Sequence, residues 1–95
     1  DDATIMAWQL CNEPRGLDNP VNFNKWIDST AGLIKSLDKN HLVTTGSEGY
    51  TPWPDYTSTD FIENHNGKNI DYTTVHIWVE NWEWFNPKQY QETYD

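Results

Sequence analysis

The sequence predicts a partial parallel α/β barrel, about three strand–helix units of a (β/α)8 fold, and three observations carry that expectation. Strand-like and helix-like stretches alternate as strand, helix, strand, short helix, strand, the order that builds parallel sheets. The strand centres recur at a similar interval, 38 residues from Ile5 to Val43 and 32 from Val43 to Val75. That is near the roughly 31 residues per unit expected when about 250 residues make such a barrel. Each strand also ends in groups able to do chemistry: Asn12, Glu13 and Arg15 after the first, Ser47 and Glu48 after the second, His76 and Trp78 at the third. A doubly wound open sheet would explain the alternation as well.

The elements follow in order. "TIMAW" at 4–8 is a short, partly β-branched apolar run that reads as a strand buried on both faces. Asn19 and Pro20 form an N-cap and first helical residue, and apolar side chains at Phe23, Trp26, Ile27, Leu33, Ile34 and Leu37 give helical spacing over 20–39. Asn40 can close that helix in a left-handed conformation. "HLVTTG" at 41–46 is the second strand, ended by Gly46 and Gly49. The turn-rich run "SEGYTPWPDYTSTD" leads to a short helix at 60–65 and a third strand at 72–78.

Composition excludes several functions. Fourteen aromatic side chains (six Trp, five Tyr, three Phe) in 95 residues supply one modest core rather than a disordered chain. Six Lys plus Arg against fifteen Asp plus Glu give a formal charge of −9, which repels phosphate backbones and anionic membranes, so no nucleic-acid partner is expected. No apolar run is long enough to span a bilayer. Cys11 is alone, and no Cys or His spacing matches a structural zinc site, so neither an internal disulfide nor a metal or other cofactor is expected. The opening "DDATIMAW" has neither the basic start nor the apolar region of a signal peptide.

The most informative stretch is "IMAWQLCNEPRG", an apolar strand that ends in an amide, a carboxylate, a proline and a guanidinium. It resembles the fourth strand of glycoside hydrolase family 5, retaining barrel enzymes in which Asn-Glu-Pro supplies the general acid/base. "HLVTTGSEG" at 41–49, "TDFIENHN" at 59–66 and "DYTTVHIWVENW" at 71–82 follow in the order found in the endo-β-1,4-mannanase branch. The resemblance covers nearly the whole chain. It implies strands four to six of the barrel, 1–95 being a fragment of one catalytic domain, with the nucleophile of the seventh strand outside it.

What the resemblance implies for the site can be stated residue by residue. Retaining hydrolysis needs one carboxyl group to protonate the leaving oxygen and a second, roughly 5 to 5.5 Å away, to attack the anomeric carbon. Glu13 takes the first role and later acts as base. Asn12 donates to the hydroxyl beside the anomeric carbon, a bond that strengthens in the oxocarbenium-like transition state. Pro14 is expected to hold Glu13 in extended backbone and to stop strand pairing beyond it. Arg15 reaches sugar hydroxyls on the leaving-group side; on residue chemistry alone, it could instead pair with Asp18 or another loop acid. Glu48 invites assignment as the second carboxylate, but the family's nucleophile comes from another strand, leaving Glu48 a supporting or substrate-side group.

His76 has a site role by its strand-end position and family match, against the alternative of a satisfied core histidine. His41 reads as a connector and His65 as a loop residue. Trp8 and Trp26 read as core. Trp82 and Trp84 are candidate substrate walls, since indoles present flat apolar faces to the CH faces of sugars. Trp53 and Tyr56, in the loop after the second strand, could stack in the same way. Trp78 departs from the family pattern, in which many members carry Tyr two residues after the strand-six His; Trp can only donate.

The expected function is therefore part of a retaining endo-mannanase acting on mannan, glucomannan or galactomannan, monomeric when complete and exported. A different β-1,4-glycanase such as a cellulase is the alternative. A non-catalytic carbohydrate-binding module is a third reading that the aromatic content alone would allow.

Overall fold

The computed structural model describes residues 2–50 and 59–78. Trp53, Tyr56, Trp82 and Trp84 lie outside these residues. Four elements occur among them: β1 (Ala7–Gln9), α1 (Pro20–Leu37), β2 (Leu42–Thr44) and α2 (Phe61–His65). The strands pair in parallel with register Ala7↔Leu42, Trp8↔Val43 and Gln9↔Thr44. A helical crossover between parallel neighbours is the repeating unit of an α/β barrel.

Strand β1 is shorter than 4–8 and shifted, because Asp2 folds the start of the chain into a turn. Its carboxylate accepts from the Thr4 N–H at 2.9 Å and hydroxyl at 2.6 Å, and its carbonyl accepts from the Ile5 N–H at 3.1 Å. Nor is β1 buried on both faces: Trp8 and Gln9 are exposed, since no helix among the described residues packs on β1.

Helix α1 starts as expected, with the Asn19 side chain accepting from the Asn22 N–H at 3.0 Å and Pro20 as first residue. It ends earlier than 39. Asp38, in extended backbone, is the C-cap, and its own carboxylate takes the Asn40 N–H at 3.0 Å, so Asn40 does not close the helix. The buried line on α1 is Phe23, Ile27 and Ala31, with Ile34 half-buried. At about 100° per residue these four fall within a quarter-turn of one another, facing β2. Trp26, Leu33 and Leu37 fall on one flank and are exposed, correcting the core assignment of Trp26, which stacks on Phe23 at 5.9 Å. Trp8 is also exposed rather than core, and its indole N–H donates to Asp38 at 2.9 Å.

The segment expected as a third strand, 72–78, keeps the strand period: Tyr72, Thr74 and His76 are half-buried while Thr73, Val75 and Ile77 are exposed. It forms no ladder. Asp71 consumes both main-chain groups of Val43, its N–H donating to the Val43 carbonyl at 2.9 Å and its carboxylate accepting the Val43 N–H at 2.8 Å and the Lys35 ammonium at 2.5 Å. Side-chain hydroxyls then tie the segment to β2 and the stretch after it, from Thr44 to the Tyr72 carbonyl at 2.7 Å and from Thr74 to the Ser47 carbonyl at 2.6 Å.

Candidate active site

Backbone pairing between β1 and β2 runs on past both strands. The N–H groups of Leu10, Cys11 and Glu13 donate to the carbonyls of Thr44, Thr45 and Gly46 at 3.0, 3.3 and 2.9 Å. Pairing thus continues to the residue before Pro14. Glu13 is not extended as expected; its φ is +46°, in the left-handed region. Proline at the next position disfavours the right-handed helical well but leaves this conformation open, and the Gly46 carbonyl holds the Glu13 N–H in it. Gly46, at φ +85°, has to be glycine here: a Cβ would overlap the Cys11 carbonyl oxygen and lie 2.7 Å from Cγ of Gln9.

Beyond this turn, four of the side chains singled out in the sequence meet. The His76 Nδ1 lies 2.8 Å from Oε1 of Glu13, joining residues 63 positions apart. The Arg15 Nη1 contacts both carboxylate oxygens of Glu48, at 2.8 and 2.9 Å, and donates to the Glu13 carbonyl at 3.1 Å. Its Nη2 faces Oε2 of Glu13 at 4.0 Å. Glu48 closes the circuit through its backbone, its carbonyl accepting the His76 N–H at 2.9 Å. Arg15 therefore pairs with a loop acid, as residue chemistry alone allowed, but the acid is Glu48 rather than Asp18.

The arrangement constrains what each carboxylate can do. Both oxygens of Glu48 face one guanidinium nitrogen, which offsets its charge and fixes its orientation. Oε2 of Glu13 has only the longer ion pair with Arg15 and no hydrogen bond among the described residues, and the side chain is 32% exposed, open to an incoming group. Asn12 and Trp78 are exposed beside the cluster. Trp82 and Trp84 lie outside the described residues.

Sequence reading missed the support beneath the cluster. The Thr45 hydroxyl, fully buried, contacts Nε2 of His65 at 2.8 Å and accepts the Ser47 N–H at 3.2 Å. His65 is the last residue of α2 rather than a loop residue. The buried His41, taken for a connector, contacts Asp38 through Nδ1 at 2.5 Å and the Asp2 carbonyl through Nε2 at 3.0 Å. Those two acceptors raise its pKa, the Asp2 carbonyl first, while the indole of Trp8 is the main cause that lowers Asp38 to about 2. The "DKNH" spacing, an acid three residues before a histidine, was the available signal for this pair.

Comparison with known proteins places this arrangement. A family model described as GH family 5 beta-mannosidase-like matches residues 1–95. The chain is 38% identical to mannan endo-1,4-beta-mannosidase 5 of Arabidopsis thaliana over 97% of its own length and 24% of that protein's. To mannan endo-1,4-beta-mannosidase 5 of Solanum lycopersicum it is 43% identical, over 86% of this chain and 23% of the relative. It thus spans about a quarter of the length of these curated relatives. Among solved structures, the endo-1,4-beta-mannanase of Rhizomucor miehei superposes with a TM-score of 0.77 at 28% identity, over 95% of this chain and 30% of that one. The endo-1,4-beta-D-mannanase of Thermotoga petrophila gives 0.74 at 29% identity, over 95% and 30%. The fold is accordingly a partial (β/α)8 barrel, and the chain belongs to glycoside hydrolase family 5.

Proposed function

We propose that the protein to which this chain belongs is a retaining endo-β-1,4-mannanase, with residues 1–95 forming part of its single catalytic domain. Glu13 is its general acid/base. The observation that carries the reading is the Glu13 carboxyl at the end of β1, held on one oxygen by His76 at 2.8 Å and open on the other. In the first step the Glu13 proton passes to the glycosidic oxygen as that bond breaks, and a nucleophilic carboxylate from outside this chain bonds the anomeric carbon. In the second, Glu13 takes a proton from the attacking water and the carboxylate leaves. Asn12 contacts the neighbouring hydroxyl, while Trp78, Trp82 and Trp84 offer sugar-stacking faces.

Arg15, fixed by Glu48, lies on the leaving-group side, and both help to shape the cleft there. The substrate is a mannan, glucomannan or galactomannan. A polymer of that size implies an exported enzyme, which we take to act as a monomer; no helix among the described residues is long and apolar enough to cross a membrane. A β-1,4-glucan specificity would share Glu13 and His76, so parallel assays on mannan and carboxymethyl cellulose separate the two.

The test is Glu13→Gln in the full-length enzyme. Hydrolysis of mannan should fall on the order of 10² to 10⁴-fold through loss of acid/base assistance. Aryl mannosides with good leaving groups should still form the covalent intermediate, and azide should restore their turnover. Full activity on mannan in the Gln variant removes Glu13 from the mechanism.

A further inference from the structure

We propose that His65 is a positioning residue for the acid/base, acting from helix α2 through Thr45; this rests on the function proposed above. The proposal follows from donor and acceptor accounting. His65 Nδ1 lies 2.6 Å from the Phe61 carbonyl, which can only accept, so the ring hydrogen sits on Nδ1. The Phe61 ring tilts against the imidazole at 4.6 Å and helps hold its plane. Nε2 then presents a lone pair, and the hydroxyl of Thr45 donates to it at 2.8 Å.

That donation fixes the hydroxyl rotor, so its own lone pair points at the Ser47 N–H at 3.2 Å. Ser47 and Glu48 lie in the stretch after β2 whose two carbonyls hold the next segment: Ser47 accepts from the Thr74 hydroxyl at 2.6 Å and Glu48 from the His76 N–H at 2.9 Å. The His76 ring in turn sets the Glu13 carboxyl at 2.8 Å. His65 is thus the point where α2 is tied into the frame that aims the proton. None of its contacts touches a position open to sugar, which distinguishes it from His76. Without an acceptor at Nε2 the buried Thr45 hydroxyl loses the partner it donates to and its orientation, and a small displacement of Ser47 and Glu48 is passed on to the carboxyl. Misplacement of catalytic groups by about 1 Å can cost as much as 10²-fold.

The experiment compares kcat/KM on mannan with kcat/KM on an aryl β-mannobioside of good leaving group, in the full-length enzyme. The second substrate needs little proton donation, and the ratio of the two does not depend on how much protein is folded. His65→Leu should lower the mannan value about tenfold and the aryl value less than about twofold, a fraction of the full acid/base contribution. His65→Asn, able to donate to the Phe61 carbonyl but too short to reach Thr45, should shift the ratio in the same direction. His65→Gln, whose amide oxygen can accept from Thr45, should return the ratio to within about threefold of the parent. An equal fall on both substrates, or an unchanged ratio in Leu and Asn variants alike, overturns the proposal and leaves Glu13 in its role. A parent enzyme that does not cleave mannan overturns the proposed function, and this inference with it.

Discussion

The two ends of the β1–β2 sheet each carry a histidine against a carboxylate, and they use it differently. At the start of the strands, buried His41 meets an acceptor on each nitrogen, Asp38 and the Asp2 carbonyl. Two acceptors favour two N–H donors, so these contacts stabilise the cationic form of this histidine and raise its pKa. Asp38 is saturated as well, by the indole of Trp8 and the Asn40 N–H. At the far end, His76 touches Glu13 through Nδ1, and the second carboxylate oxygen stays open. One pair closes a seam between the chain's first turn, the end of α1 and the start of β2. The other fixes one atom and leaves the next available. Similar distances thus belong to different tasks, and the number of satisfied partners distinguishes them.

The largest expected effect tests the crowding that makes the open end possible. Gly46→Ala places a methyl against the Cys11 carbonyl at a left-handed φ. Backbone strain and overpacking together should cost about 4 kcal/mol, or prevent folding of the full-length enzyme. Urea midpoints read this; an Ala variant within about 0.5 kcal/mol of the parent would show that the two chain ends have room to part.

Next in size, His76→Phe should lower mannan hydrolysis about 10²-fold by freeing the Glu13 carboxyl, with little change in thermal midpoint. His41→Phe should do the reverse, lowering the midpoint by several degrees at unchanged kcat. Exchange of these two phenotypes would invert the comparison.

The pH dependence sharpens it. Because the folded-state pKa of His41 is raised, its contribution is fully present below the ordinary histidine value and is lost as pH rises through the raised one. Asp38 is lowered to about 2, so its contribution is present above the ordinary aspartate value and is lost as pH falls through about 2. The midpoint gap between parent and His41→Gln should therefore be wide at about pH 5 and narrow at about pH 9. A gap constant across that range would mean that folding does not raise the pKa of His41.

The smallest effect falls on Arg15→Lys. Lysine keeps the charge opposite Glu48 but not the planar fork that also reaches the Glu13 carbonyl. Mannan hydrolysis should fall about threefold, and activated aryl mannosides less. An equal loss on both would assign Arg15 to the frame rather than to the leaving-group sugar.

By itself the sequence determined what depends on local chemistry and period. The Asn19-Pro20 start of α1, the order strand, helix, strand, helix and the placement of Asn12, Glu13, Arg15 and Glu48 shortly after the first two strands were legible, because capping, hydrophobic spacing and strand punctuation act over a few residues. Tertiary structure decided what depends on a neighbour distant in the chain. Glu13 adopts a positive φ because the Gly46 carbonyl captures its N–H, overriding the extended preference before proline. The 72–78 segment has the strand period without the ladder because Asp71 takes the Val43 groups first. Arg15 found Glu48, 33 residues on, rather than Asp18, and His65 found Thr45, 20 residues back. Such pairings follow from which groups the folded backbone brings within hydrogen-bond reach, and a hydrogen bond is specific to a few tenths of an ångström that no sequence pattern encodes.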